Sequence, residues 1–130
     1  MLAYLESKPR QSYILVVEDE VLIRALICEE LRSAGLNVIE ASNADEAWSY
    51  ATAGGPIDLL FSDFQMPGSM SGLELAQRLK QREPDLDVII TSGRVRPDEI
   101  NDVGAFLAKP YLPERAVAAV LTALQLRRES

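Results

Sequence analysis

Apolar runs of strand length recur along the chain at Tyr13 to Val17, Leu36 to Ile39, Ile57 to Phe61, Val88 to Thr91 and Ala105 to Ala108. Between them the apolar residues fall at helical spacing. Ile23, Ile27, Leu31 and Ala34 stand at i, i+4, i+8 and i+11, one stripe of a helix that Gly35 terminates. Asn43, with Glu46 three residues on, opens a second helix through Ala44, Ala47 and Trp48 in the pattern of a capping box. Ser71 and Glu74 repeat that spacing ahead of Leu75, Ala76 and Leu79, and Pro84 closes this third helix. The segment SGRVRPDEINDVG, from Ser92 to Gly104, leaves room for only a short fourth helix around Pro97 to Asp102. Pro113 suits the first turn of a last helix whose stripe is Val117, Val120, Leu121 and Leu124, with Arg127 and Arg128 set against its negative end. Residues 1–11 read as a loose arm, which leaves 12–130 as one folded unit.

Strand and helix alternate through the whole pattern, and right-handed crossovers place such strands in a parallel sheet with helices on both faces. In an open sheet of this kind, functional groups gather outside the carboxyl ends of the strands, near the point where strand order reverses. The polar residues at those ends are therefore the ones to examine. Glu18 and Asp19 follow the first run, Asp63 follows the third in LLFSDFQMPG, Thr91 ends the fourth and Lys109 follows the fifth. All five would face one crevice. Simpler readings exist for each taken alone. The acids Glu18 to Glu20 suit a helix N-terminus, Thr91 is a plain β-former, and Lys109 suits a solvated strand end. Trp48 fits a core position, and Cys28 a small buried filler.

Composition narrows the classes. At 130 residues there is length for one domain with a sizeable core, and 48% hydrophobic with 25% charged residues describes a globular chain. A single cysteine excludes an internal disulfide, and a reducing compartment follows naturally. No apolar stretch is long enough to span a bilayer, and the first ten residues lack the basic start and apolar block of a secretory signal, so a cytoplasmic location is expected. A formal charge of −7 disfavours nucleic acid and anionic membrane as partners. The chain has no histidine, which excludes His-based triads and His metal sites. A phosphoryl group carried on histidine would have to arrive from another protein.

The acidic pair Glu18-Asp19, SDFQMPG with Asp63, IITSG with Thr91 and FLAKP with Lys109 and Pro110, in that order, resemble the receiver domains of two-component response regulators over roughly residues 13–126. The resemblance implies a flavodoxin-like, doubly wound sheet of five parallel strands in the order 2-1-3-4-5, with a short fourth helix. It implies Asp63 as phosphoacceptor, with Asp19, Asp63 and the backbone carbonyl of Gln65 as Mg²⁺ ligands and Glu18 acting through a water. Lys109 would supply a positive point charge and Thr91 a hydroxyl for the phosphate. The physical requirement points the same way, because clustered carboxylates repel one another and a small hard cation with oxygen ligands offsets that repulsion. The family commonly has a cis bond before the proline that follows the lysine.

On this reading the chain is a stand-alone switch, not an enzyme acting on external substrates. It would be phosphorylated by a histidine kinase or phosphotransfer protein, work through protein binding, and exist as a monomer or weak homodimer. Departures from the family pattern bear on the output. The loop FQMPGSMSG is one residue longer than usual, Phe106 stands where many members have tyrosine, and the fourth helix is short. Phe106 would join Thr91 in the switch, while Gln65 and Ser92 would tune the phosphate lifetime. Two alternatives belong to other classes. One is an unphosphorylated docking module. The other is a phosphatase working through an aspartyl-phosphate, which would need an acid two residues after Asp63, where Gln65 stands.

Overall fold

The structure, a computed structural model, describes residues 12–94 and 98–129, with all of those side chains except 99 and 127–129. The expectations for the arm 1–11, for Pro97 and for the side chains of Arg127 and Arg128 lie outside the described residues. Strands β1 (Tyr13–Val17), β2 (Asn37–Ala41), β3 (Leu59–Asp63), β4 (Asp87–Ser92) and β5 (Ala105–Ala108) alternate with helices α1 (Val21–Ser33), α2 (Ala44–Thr52), α3 (Gly72–Arg82) and α4 (Pro113–Glu129). Between β4 and β5 the described residues form one 3-10 helix, Asp98–Asp102. Every pairing is parallel and the order is β2-β1-β3-β4-β5, as the resemblance implied.

Side-chain alternation along the strands divides the core in two. Leu15, Val17, Leu60, Val88 and Ile90 point to the face covered by α2, α3 and the 3-10 helix. Ile14, Val16, Leu59, Phe61 and Ile89 point to the face covered by α1 and α4. The central strands are buried on both sides, which explains why they read as continuous apolar runs. Truncating a fully buried Leu60 or Ile89 to alanine costs about 2–5 kcal/mol. Outer strand β5 is half-buried or exposed throughout, with little more than one 3-10 turn to cover its side of the sheet.

Local chemistry sets the helix ends. The Asn43 side chain accepts the Glu46 N–H at 2.8 Å, while the Glu46 carboxylate reaches past the cap to the N–H and hydroxyl of Ser42, at 2.6 and 2.7 Å. The predicted capping box is therefore shifted outward by one residue on its return leg. At α3, Ser71 caps the Glu74 N–H at 3.1 Å, but the Glu74 carboxylate pairs with Arg78 instead of returning to the cap. Gly35, at φ +91°, ends α1 in the left-handed region open to glycine.

Several expected boundaries and faces need correction: β2 is Asn37–Ala41, not Leu36–Ile39, and β4 is Asp87–Ser92, not Val88–Thr91, because sheet pairing extends past the apolar residues. The third strand is Leu59–Asp63, starting two residues after the apolar run Ile57–Phe61 begins and ending at Asp63 as expected, because its pairing with β4 continues through Asp63 opposite Thr91. In α4 the buried stripe is Ala116, Val120 and Leu124, whereas Leu121 is 42% exposed, a rotation that the apolar spacing alone left ambiguous. The stripe of α1 is Ile27, Cys28 and Leu31; Ala34 lies beyond the helix and is exposed.

Candidate functional site

Strands β1, β3 and β4 each run to their last residue in sheet register, so their carboxyl ends present side chains at one level. Glu18 follows β1. Its N–H continues the ladder to the Ala41 carbonyl at 3.1 Å, and its carboxylate accepts from Lys109 Nζ at 2.8 Å and from the Glu20 N–H at 3.2 Å. Asp63 ends β3, and one carboxylate oxygen lies 3.0 Å from Lys109 Nζ. The other lies 3.4 Å from the Thr91 hydroxyl. Lys109 follows β5, donates its backbone N–H to the Ser92 carbonyl at 2.8 Å, and has a cis bond to Pro110. One ammonium from late in the sequence thus bridges two carboxylates, one from near its start and one from its middle.

Burial and charge compete here. Burial pushes the Asp63 carboxyl up to about 6, and the nearby Glu18 charge adds to the rise, while the bond from Lys109 opposes it. Burial also works against the charged form of Glu18, yet the Lys109 ammonium and the Glu20 N–H outweigh it and hold Glu18 below its ordinary value. For Lys109, desolvation disfavours the ammonium but the two carboxylates together outweigh it, and its proton is held more tightly than usual. The cluster is a net-negative site with one positive charge inside it. Adding Asp19, the carboxylate oxygens of Glu18, Asp19 and Asp63 lie within 4.8 Å of one another. An all-oxygen, carboxylate-rich donor set suits a small hard cation such as Mg²⁺, whose oxygen ligands sit about 2.1 Å from the metal and so about 4.2 Å apart across it.

The family model for the response regulator receiver domain matches residues 14–121. This chain belongs to that family. Over 119 residues it is 36% identical to the phosphate regulon transcriptional regulatory protein PhoB of Pseudomonas aeruginosa, a match covering 86% of this chain and 51% of that protein. A CheY-like receiver domain protein from Methanospirillum hungatei JF-1 shares its fold at a TM-score of 0.83 with 22% identity, covering 92% of this chain and 98% of that one. A receiver domain protein from Clostridium thermocellum matches at 0.80 with 27% identity, over 90% and 97% of the two chains. The chain spans about half the length of the curated relatives it matches first.

In this receiver domain Glu18, Asp19, Asp63, Thr91 and Lys109 come together as the strand-end pattern requires. Lys109 is not a solvated strand-end lysine, since 19% of its side chain is exposed and both its carboxylate bonds point inward. Gln65 has an exposed side chain in the loop after β3. Phe106 stands beside Ile90 in the β4–β5 register, one position before the Thr91–Leu107 pair, so it points to the opposite face of the sheet from Thr91. There it packs against the core under the 3-10 helix. Ser92 is buried and its hydroxyl accepts the Arg94 N–H at 3.1 Å. Trp48 flanks the core and lies under the guanidinium groups of Arg78 and Arg82, at 5.7 and 5.8 Å. Cys28 is fully buried, and burial pushes its thiol up to about 11.

The long loop after Asp63 is anchored, not loose. Gly68 turns at φ +120°, the Ser69 hydroxyl donates to the Asp45 carboxylate at 2.8 Å, and Met70 plugs into the core at 5% exposure. Sequence reasoning missed two residues. A Cβ on Gly72 would overlap the Asp63 backbone carbonyl, so glycine at the start of α3 is what lets that helix approach the acid. Arg24 donates to the Glu18 backbone carbonyl at 2.7 Å. Ser71-Gly72 at a helix start was a readable signal for the first; a bond to a backbone atom leaves no mark in the sequence.

Proposed function

We propose that this receiver domain is a phosphorylation-dependent switch that accepts a phosphoryl group on Asp63 from the phosphohistidine of a histidine kinase or phosphotransfer protein, and signals by binding another protein. The observation that carries this reading is the Lys109 ammonium held 2.8 and 3.0 Å from Glu18 and Asp63, beside a third acid, Asp19. A lone structural lysine needs one partner; this one neutralises a site where further negative charge would arrive.

Asp63 takes its proton at about 6, so near neutral pH it is mostly the carboxylate that a nucleophile must be. One of its oxygens attacks phosphorus, a P–O bond forms, and the P–N bond breaks with its electron pair returning to the donor's imidazole nitrogen, which takes up a proton. Mg²⁺ held by Asp19 and Asp63, with Glu18 behind them and the Gln65 carbonyl beside them, would neutralise the acids and the transferring oxygens. Lys109 offers a charge-assisted bond to the new phosphoryl oxygens, and Thr91 a hydroxyl. The reaction is confined to the chain's own aspartate, so the domain acts as a switch and not on external substrates.

The donor has a surface to dock on. Val21, Leu22, Leu26 and Leu112 are 65%, 84%, 50% and 65% exposed, and a groove of about 500 Å³ between α1 and the loop before α4 is lined by Ile23, Tyr111 and Lys109 itself. Apolar side chains this open beside a reacting group suit a transient protein partner. For the output, moving a two-state element from 1:99 to 99:1 takes about 5.5 kcal/mol, within reach of a few charge-assisted bonds at a new phosphoryl group.

Incubation with acetyl phosphate and Mg²⁺ should produce a Phos-tag mobility shift that Asp63→Asn abolishes. If the parent chain never shifts, with acetyl phosphate or with any kinase of its source, the reading fails and an unphosphorylated docking module takes its place.

A further inference from the structure

We propose that Arg24 is a positioning residue for the acidic pair, setting the direction of Asp19 and through it the affinity for Mg²⁺; the inference rests on the metal-assisted reading above. Arg24 lies one turn into α1, where its N–H bonds the Glu20 carbonyl at 2.9 Å. Its side chain is only 17% exposed and turns back toward the strand. One terminal nitrogen donates to the Glu18 carbonyl at 2.7 Å, and Nε stands 3.5 Å from the Glu40 carboxylate on β2.

The relative strength of these contacts decides what Arg24 is for. Glu40 already has a closer partner in Arg32, at 3.0 Å, and exposed ion pairs of this kind contribute little, because water screens them. The bond to the Glu18 carbonyl is the shorter and better shielded one. That carbonyl has no place in the sheet ladder, whose pairing on both sides of β1 ends at Val17. Its oxygen belongs to the same planar peptide unit as the Asp19 N–H, so fixing it fixes the plane from which the Asp19 chain departs. With the Glu18 N–H tied to Ala41 and its carboxylate to Lys109, the guanidinium supplies the third restraint. Without it the peptide can rotate, and Asp19 samples directions away from Glu18 and Asp63. Glu40 and Arg32 lie behind Arg24 and steady it from the surface.

The test is calorimetric titration of the whole chain with Mg²⁺ alone, with no phosphodonor. Arg24→Met, which keeps the apolar stem and removes every donor, should raise the dissociation constant about tenfold, as loss of a partner that orients a metal ligand does. Arg24→Lys keeps one donor and should weaken binding about threefold. Glu40→Gln should stay within twofold of the parent, since the carbonyl bond survives. In the metal-free protein the Asp19 amide should exchange faster in Arg24→Met. A folded Arg24→Met or Arg24→Lys that binds Mg²⁺ as the parent does overturns the proposal, even if its unfolding midpoint falls. So does a loss in Glu40→Gln as large as in Arg24→Met, which would make the effect one of surface charge. A parent chain that does not bind Mg²⁺ would instead sink the proposed function.

Discussion

Glu18, at the end of β1, uses its N–H on Ala41, its carbonyl on Arg24 and its carboxylate on Lys109 and the Glu20 N–H, all within 3.2 Å. Thr91, next to the end of β4, is paired in the sheet with both Asp63 and Leu107 and its carbonyl accepts the Phe64 N–H at 2.8 Å, but its side chain reaches Asp63 only through a hydroxyl at 3.4 Å, longer than an ordinary O–H···O bond. The two ends face the same crevice but are held very differently. Beyond β1 the chain enters a 13-residue helix with three buried anchors. Beyond β4 it passes through one 3-10 turn, with Ile100 and Val103 buried, to a strand that is nowhere fully buried. The acid side is thus tied by several bonds at Glu18, while the Thr91 hydroxyl has slack to take up. A switch needs both, because a rigid site positions the reaction and a loosely tied element can change state at small cost.

The largest effect should come from Lys109, the group that joins β5 to the rigid side. Lys109→Ala removes the one ammonium that bridges Glu18 and Asp63, and labelling by acetyl phosphate should slow by about a hundredfold or more, the usual loss for a preorganised donor at a developing charge. Labelling within threefold of the parent would mean that the acids and metal suffice, and that the contrast drawn between the two sides has no consequence for the reaction.

How much of this was legible in advance depended on whether a feature is made of side chains or of backbone. The strands Tyr13–Val17 and Ala105–Ala108 and the gathering of Glu18, Asp19, Asp63, Thr91 and Lys109 follow from apolar runs and the polar residues that end them, while the sheet order follows from the family resemblance. The placing of β3 along its apolar run was not legible, because Ser62 and Asp63 are polar residues held in the strand by pairing with β4, and an apolar count stops before them. The stripe of α4 was misjudged at Leu121 because an almost continuous apolar stretch fits more than one helical face. Arg24 was invisible because its partner is a carbonyl. Phe106 was placed with Thr91 by analogy, but neighbouring register positions send the two side chains to opposite faces.

A second measurement sharpens the picture of a charged site strained by its own burial. In metal-free protein Asp63 is protonated at about 6, against 3.8 ordinarily, with desolvation the main cause. Between those values the folded chain binds more protons than the unfolded one, so stability falls as pH rises across the window, and the full cost is present above 6. Asp63→Asn removes the buried charge and leaves Lys109 its bond to Glu18. With chelator present the variant should be more stable than the parent by about 1–3 kcal/mol at pH 7, with the gap narrowing as pH falls toward 4. A gap that is constant with pH, or of opposite sign, would show that Asp63 is not the strained group and that the acid side is better relaxed than the geometry implies.

The smallest resting effect should come from the loose side. Thr91→Val keeps the volume of the buried side chain and exchanges only the hydroxyl, 3.4 Å from its acceptor, for a methyl, so unfolding stability without phosphate should change by only about 0.5 kcal/mol. Its consequence should appear once a phosphoryl group, or beryllofluoride standing in for it, gives the hydroxyl an oxygen within reach. In the parent, NMR shifts on adding beryllofluoride and Mg²⁺ should extend from Thr91 through its register partner Leu107 to Phe106, because β4 and β5 are paired along that stretch. In Thr91→Val the shifts at Asp19 and Asp63 should persist while those at Leu107 and Phe106 shrink. Should Phe106 respond equally in both proteins, the signal leaves the rigid acid side by another route. Thr91 would then be only a strand residue, and the slack beyond β4 would be an accident of a short crossover and not the moving part of a switch.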